Sequence, residues 1–274
     1  MAARFPQSGS SVAYKIATAY AGKVVAVWWA ASADSMHRLF AGDTASTIIT
    51  RSTSGAGFDS GNGTITGTIE GASSGQYFSD YKSGGLGLTE DAAFGLGFSA
   101  YGDIYNGVGV GGVIIGTGAP LDIFDNKSKI QFTSYDIAGG ISSTAGSALH
   151  SGNIGDDVRA WMNYAMRYNP SDPIQKLRYW VNGSEDTGER LSATASSSAN
   201  IGDASNPVYF GGSKAGTGNT SIDLECVYIH TGLSDAELAT ITADTSVLIE
   251  AAGGGGGGGA EAAARNYYAQ LRSN

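Results

Sequence analysis

The chain is poor in most of what marks a disulfide scaffold, a membrane span or a nucleic-acid binder. It has a single cysteine in 274 residues, so no internal disulfide can form. That residue lies in Asp223-Leu224-Glu225-Cys226-Val227-Tyr228-Ile229, where a thiol is expected to pack as a small hydrophobe. Charged residues make up 15%, where about a quarter is usual. Neutral Ser, Thr, Asn and Gly must therefore cover much of the surface, which suits close packing beside other proteins. No apolar run approaches the ~18 residues of a membrane helix. No run of Lys or Arg exceeds two, and the net charge is -9 with a pI near 4.7. Phosphate binding needs clustered cations, so nucleic acid and membrane are excluded as partners.

The start of the chain, Met1 to Ser8, has no apolar stretch of signal-peptide length. Synthesis in a cytoplasm is expected, with any export by another route. The Asn-x-Ser/Thr triplets at Asn62, Asn126, Asn182 and Asn219 carry no meaning without secretion.

What is abundant is glycine, 42 residues against 5 prolines. Short apolar segments rich in β-branched and aromatic residues stand between the glycines. Val24-Val25-Ala26-Val27-Trp28-Trp29 has strand length and is too short for a helix. Leu39-Phe40, Thr47 to Thr50, Thr64 to Glu70 and Ile130 to Tyr135 read as further strands. Gly84 to Gly118 threads Phe94, Phe98, Tyr101 and Tyr105 among glycines, and Gly139 to Gly155 reads as a loop rich in Ser and Gly.

Arg159 to Asn169 alternates, with Met162, Tyr164, Met166 and Tyr168 on one face and Trp161, Asn163, Ala165 and Arg167 on the other. Leu177 to Val181 returns as a strand and ends at Asn182-Gly183, a dipeptide that supplies the positive φ angles of a tight hairpin. Val208 to Phe210 and Ile222 to His230 add two strands, and Val247 to Ile249 a last one. Ser234-x-x-Glu237 is a capping box that opens a short helix with Leu238 and Ile241 on its apolar stripe.

Residues 253–259 are seven consecutive glycines and read as a linker between a sandwich over 1–252 and a helix within 260–274. In that helix Ala264, Tyr267, Tyr268 and Leu271 share one face, and a helix so short must dock to persist. Tyr267, Tyr268 and Leu271 are the expected assembly contacts.

The order of features from Trp161 to Ile241 resembles the second half of a laminin-G-like domain. It runs Trp161 to Tyr168, Tyr179-Trp180-Val181-Asn182-Gly183, Val208-Tyr209-Phe210-Gly211-Gly212, Ile222 to Tyr228, then Leu233-Ser234-Asp235-Ala236-Glu237. Val24 to Trp29 is similar to an early core strand of the same fold. The resemblance covers roughly 90 residues well and the first half loosely. It implies an all-β, concanavalin A-like antiparallel jelly-roll sandwich, and it leaves function open because this sandwich hosts lectins, hydrolases, adhesion modules and virion proteins. The N-terminus, rich in Gly, Ser and Ala, resembles those of such domains in tailed-bacteriophage virion proteins.

Candidate chemistry is sparse. Related β-glucanases carry Glu-x-Asp-x-x-Glu along one strand, so that nucleophile and acid/base flank the scissile bond. No such spacing occurs, and Glu185, Asp186 and Glu189 read as solvated hairpin charges. Gly107-x-Gly109-x-x-Gly112 matches the dinucleotide fingerprint in letters, yet Val113 to Pro120 cannot form the helix that must follow it. His37, His150 and His230 lack metal-ligand spacing, so no metal and no cofactor is expected. Asp156, Asp157 and Asp203 could serve a rim calcium, though loop acids and turn caps use the same residues.

One constellation suits recognition. If Met162, Tyr164, Met166, Leu177, Tyr179 and Val181 fill the core, then Trp161, Asn163, Arg167, Arg178 and Trp180 share the opposite face. Trp and Arg beside an amide suit a sugar ring or a protein hot spot; the alternative is that loops from Gly84 to Gly118 cover this face. The sequence thus leads to a non-enzymatic interaction protein of a phage particle (capsid decoration, head fibre or tail component), located in the virion and associating with other virion proteins and with itself. The alternative is a carbohydrate-binding module for a cell-surface glycan.

Overall fold

A computed structural model describes residues 13–32, 35–50, 78–88, 92–103, 112–117, 128–132, 136–143, 146–153, 159–169, 171–172, 177–186, 208–210 and 222–252. The glycine run, the 260–274 helix, Thr64 to Glu70, Gly107, Gly109, Asp156, Asp157, Glu189 and Asp203 lie outside the described residues.

The described chain is almost entirely β. In order, the strands are β1 (Tyr14–Ile16), β2 (Val24–Ser32), β3 (Ser35–Phe40), β4 (Thr47–Thr50), β5 (Phe78–Asp80), β6 (Phe94–Asp103), β7 (Gly112–Thr117) and β8 (Ser128–Phe132). They continue as β9 (Asp136–Ser143), β10 (Gly146–Asn153), β11 (Arg159–Tyr168), β12 (Leu177–Val181), β13 (Ser184–Asp186), β14 (Val208–Phe210), β15 (Ile222–Thr231) and β16 (Ile249–Ala251). One helix, α1 (Asp235–Ala243), follows β15, and a 3-10 turn over Thr245–Leu248 leads into β16. Val247 and Leu248 therefore belong to that turn rather than to a strand, because Asp244 accepts from the Ser246 N–H and caps it.

Two large antiparallel sheets form the sandwich. One has the order β13-β12-β11-β6-β15-β2-β3-β4, the other β10-β9-β8-β7-β14-β5. The layout is a concanavalin A-like jelly roll, with sequence-distant strands side by side. β6 is held between β11 and β15, which are adjacent to it only in space. β1 and β16 pair as a small third sheet, so the two ends of the described chain are fastened together, with Ala252 N donating to Ala13 O at 2.6 Å.

The region from Gly139 to Gly155 is a correction to the sequence reading: β9 and β10 pair there as a regular hairpin from Asp136↔Asn153 to Ser143↔Gly146. Serine and glycine have weak strand preferences, and pairing with neighbours overrides them. Gly112 opens β7, a strand, so the dinucleotide fingerprint has no helix after it. The aromatic-glycine stretch is also explained. Along Phe94-Gly95-Leu96-Gly97-Phe98 the large side chains point into the space between the sheets. The glycines leave room on the other face for the rings of His230 and Tyr228 from β15.

The inter-sheet core takes Trp28, Met36, Leu96, Phe98, Met166 and Val227, all at most 2% exposed. Phe98 and Tyr164 stack at 5.1 Å between centroids. A second core lies on the outer face of the eight-stranded sheet. There Trp29, Trp180, Tyr228 and Cys226 are covered by Leu238 and Ile241 of α1, by Leu248 and by Tyr14, Ile16 and Tyr20. The Cys226 thiol is buried among apolar side chains, as expected for a structural cysteine.

Candidate binding surface

The structure gathers four of the five expected face residues but closes the face over them. Asn163, Arg167, Arg178 and Trp180 lie on one side of paired strands β11 and β12, with Ala165 opposite Trp180 and Arg167 opposite Arg178. Among the described residues the cover is α1 and the 3-10 turn. Trp180 is 1% exposed and Asn163 4%, so neither meets a ligand from solvent. The side chain of Trp161 lies outside the described residues.

The two arginines fasten this cover. Arg167 pairs with Asp235, the first residue of α1, donates to Leu233 O at 3.3 Å, and sits 5.3 Å over the Trp180 ring. Arg178 reaches Asp172 at 3.1 Å and Asp235 at 3.3 Å. The capping box forms as the sequence predicts: Glu237 N donates to Ser234 Oγ and Ser234 N to Glu237 Oε2. Lys23 then grips Glu237 at 2.7 Å. Burial alone would raise the Glu237 pKa, but the bonds from Lys23 and Ser234 outweigh it and the pKa falls below the usual value. The Asn182-Gly183 turn, at φ 47 and 90, is pinned by Gly183 N donating to Thr242 Oγ1 at 3.1 Å. These residues dock a helix.

A different constellation stays accessible, where β3 of one sheet meets β5 of the other. Met36, Arg38 and Phe40 alternate onto the inter-sheet side of β3, and Arg38 is directly opposite Trp28 of β2. Both reach across to Asp80 at the end of β5. Trp28 Nε1 donates to Asp80 Oδ2 at 2.8 Å, and Arg38 Nη1 donates to Asp80 Oδ1 at 3.2 Å. The Tyr81 N–H donates to the same Oδ1 at 2.9 Å. With both oxygens engaged, Asp80 is a post that ties the sheets together and holds the Tyr81 backbone in place.

Around it lie two cations and two aromatic rings. Arg38 lies 4.5 Å and Lys82 5.8 Å from the centroid of Phe40. Lys82 Nζ also donates to Ala41 O at 3.4 Å. Phe40 packs edge-on against Trp28 at 6.1 Å, and its N–H is held by Asp43 at 2.9 Å. Tyr81 is 52% exposed, unusual among the described aromatic side chains, most of which are buried. An exposed aromatic ring can stack on a flat apolar face, and partly solvated guanidinium and ammonium groups can donate hydrogen bonds to a polar ligand. Sequence reasoning missed this group, since Arg38 and Asp80 are 42 positions apart. The only local signal is Asp80-Tyr81-Lys82 emerging from a neutral Gly/Ser/Thr stretch.

Among the described residues, no group of three or more His, Cys, Asp or Glu is placed to hold a metal ion. No described helix is long and apolar enough to cross a membrane.

No family model matches the sequence, and no curated protein does. Solved structures do match in shape. The receptor binding domain of botulinum neurotoxin mosaic serotype C/D aligns over 80% of this chain and 50% of its own, with TM-score 0.54 and 10% identity. An HCR/D mutant aligns over the same shares with TM-score 0.52 and 10% identity. The CBM40 module of Ruminococcus gnavus IT-sialidase aligns over 64% of this chain and 97% of its own, with TM-score 0.47 and 15% identity. At such identities the likeness speaks for architecture and not for ligand. The chain is an all-β antiparallel sandwich of the concanavalin A-like jelly-roll type.

Proposed function

We propose that the chain is a non-catalytic carbohydrate-binding module, with Tyr81 as the platform for a sugar ring and Lys82 and Arg38 as rim donors. The observation that carries this reading is the half-exposed Tyr81 side chain, whose backbone N–H is held by Asp80, the residue that also binds Arg38, with Lys82 next in the chain. The shape likeness to a receptor binding domain supports it at the level of architecture. Glycan-array binding by the isolated protein, followed by titration of the strongest hit, tests it. Tyr81→Ala should weaken that hit at least tenfold and Lys82→Ala severalfold, with melting temperatures unchanged because both side chains reach solvent. Binding that ignores both substitutions would refute the assignment.

A second reading concerns where the module works, and the sequence of residues 253–274 favours it. A seven-glycine linker followed by Tyr267, Tyr268 and Leu271 on one helical stripe suits an arm that holds a sandwich on a larger particle, such as a phage capsid or tail. A chain ending at Ala252 should keep its β-sheet circular dichroism and cooperative melt, because β16 still closes on β1 and Leu248 stays in the core. It should also stop co-purifying with particles. Loss of β structure, or attachment that survives the truncation, would each count against the arm.

A further inference from the structure

The turn between β12 and β13 is Asn182-Gly183, and Asn-Gly pairs are the ones most prone to a spontaneous backbone reaction. Glycine lacks the Cβ that would hinder approach of its nitrogen to the asparagine side chain. The deprotonated Gly183 nitrogen attacks Asn182 Cγ, a C–N bond forms, and the side-chain nitrogen leaves as ammonia. Water then opens the five-membered succinimide at either carbonyl, giving aspartate or isoaspartate. Water is the only co-reactant. Asn62-Gly63 and Asn106-Gly107 are the other such pairs in the sequence, so the chemistry has an internal reference.

In the folded chain both reacting groups are held by other partners. Asn163 N donates to Asn182 Oδ1 at 2.9 Å, and Asn182 N donates back to Asn163 O at 3.0 Å. The attacking nitrogen, Gly183 N, donates to Thr242 Oγ1 at 3.1 Å. Thr242 is fully buried in α1, and its own proton goes to Leu238 O at 2.7 Å, which leaves its lone pairs to accept from the turn. A Cβ on Gly183 would meet Ala243 Cβ at 3.2 Å and Ala239 O at 3.5 Å, so the last turn of α1 lies against the glycine. To close the succinimide ring, the Asn182 amide must leave Asn163, and Gly183 N must give up its proton and its bond to Thr242.

We propose that Asn182 is a deamidation site gated by α1, modified only in molecules whose helix has lifted from the Asn182-Gly183 turn. Asn182 itself is exposed, so water reaches the imide once it has formed. Openings of this kind are local and cost less than global unfolding. The change is one-way. Isoaspartate adds a methylene to the backbone of a two-residue turn whose flanks, Val181 and Ser184, are paired across it. Either product also adds a carboxylate to the turn that lies against the C-terminal end of α1, where the helix dipole disfavours negative charge. The helix then reseats poorly, and a chain that has opened and reacted stays looser.

Peptide mapping with isoaspartate detection, on the full chain aged at mildly alkaline pH in buffer and in strong urea, tests the proposal. In urea Asn182 should react about as fast as Asn62 and Asn106, and in buffer at least tenfold slower than in urea. Thr242→Val removes the acceptor at constant size, and Asp235→Asn removes the ion pairs that fasten α1 to Arg167 and Arg178. Each should speed the reaction of the folded chain severalfold. In the unaltered chain, urea below the unfolding transition should raise Gly183 amide exchange and Asn182 deamidation together, which decides the matter even if a variant folds poorly. Chains deamidated at Asn182, separated by ion exchange, should melt below fresh ones. Equal rates in buffer and in strong urea overturn the proposal. So do folded variants that react no faster than the natural chain, and Gly183 exchange that rises without deamidation. Equal melting of reacted and fresh chains overturns the loosening of α1.

Discussion

Gly97→Ala is expected to destabilise the sandwich by about 3 kcal/mol or more, the upper range for forcing atoms into a packed core. Gly97 lies in the middle of β6, paired with Ala165 on one side and Tyr228 on the other. A methyl group there would fall inside contact distance of the Tyr164 carbonyl oxygen and the tip of the Tyr228 ring. The carbonyl is sheet backbone and cannot retreat without breaking the ladder. The ring cannot swing away, because Tyr228 is fully buried and its hydroxyl donates to Tyr164 O at 3.4 Å. Gly95→Ala should behave alike, meeting the Met166 carbonyl and the His230 ring. Gly42 is the comparison. At φ 95 with open space around it, alanine there costs backbone strain of only about 1–2 kcal/mol. Urea unfolding of the three variants measures the contrast. A cost below about 1 kcal/mol at Gly97 would mean that the sheet yields there and that Tyr228 does not lock β6.

That glycine pattern shows what was legible in the sequence and what was not. The segments with their own periodicity were readable: Val24 to Trp29, the alternating Arg159 to Tyr168, the Asn182-Gly183 turn, and the capping box at Ser234. Each rests on contacts within a few residues. β6 and the β9–β10 hairpin were not readable, because glycine and serine say nothing of strands until a neighbour arrives. For β6 the neighbours are residues 159–168 and 222–231, far along the chain. The two faces of β11 could be told apart, and four of the residues expected on the second face do share it. What covers that face could not be told, since α1 returns over it from some seventy residues later. Asp235 needed Arg167 and Arg178 beneath it before its charge had a purpose. The Arg38–Asp80–Trp28 group is a further case, in which the two sheets must be packed before the residues become neighbours.

Acid should weaken the fold well before its carboxylates titrate, through His230. The residue is fully buried at a bulge in β15, and burial pushes its pKa from 6.5 down to about 3. The bond at 3.1 Å to the Met166 carbonyl and the more distant Glu237 push the other way, while the Arg167 charge adds to the lowering. A carbonyl can only accept, so Nε2 carries the proton, and Nδ1 has no hydrogen-bond partner among the described residues. A second proton must then enter a site with Arg167 nearby and no acceptor for it. The unfolded chain binds that proton near pH 6.5 and the folded chain near 3, so the stabilising effect is complete above pH 6.5 and is lost as pH falls toward 3. One pKa unit is worth about 1.4 kcal/mol, so the full span amounts to something on the order of 5 kcal/mol. His37, stacked on Trp29 at 5.1 Å and likewise lowered by burial, adds to the same slope. Glu237 and Glu250, both held below the usual carboxylate value, contribute only when pH falls further, so the window from 6.5 to about 5 isolates the histidines. His230→Gln keeps a donor for the Met166 carbonyl and removes the titration. Free energies of urea unfolding between pH 7.5 and 4.5 should fall more steeply for the natural chain, by up to about 1.4 kcal/mol per pH unit. Equal slopes in the two proteins would mean that the His230 ring takes up its proton in the folded state as freely as in the unfolded chain, and that the space over Gly95 admits water.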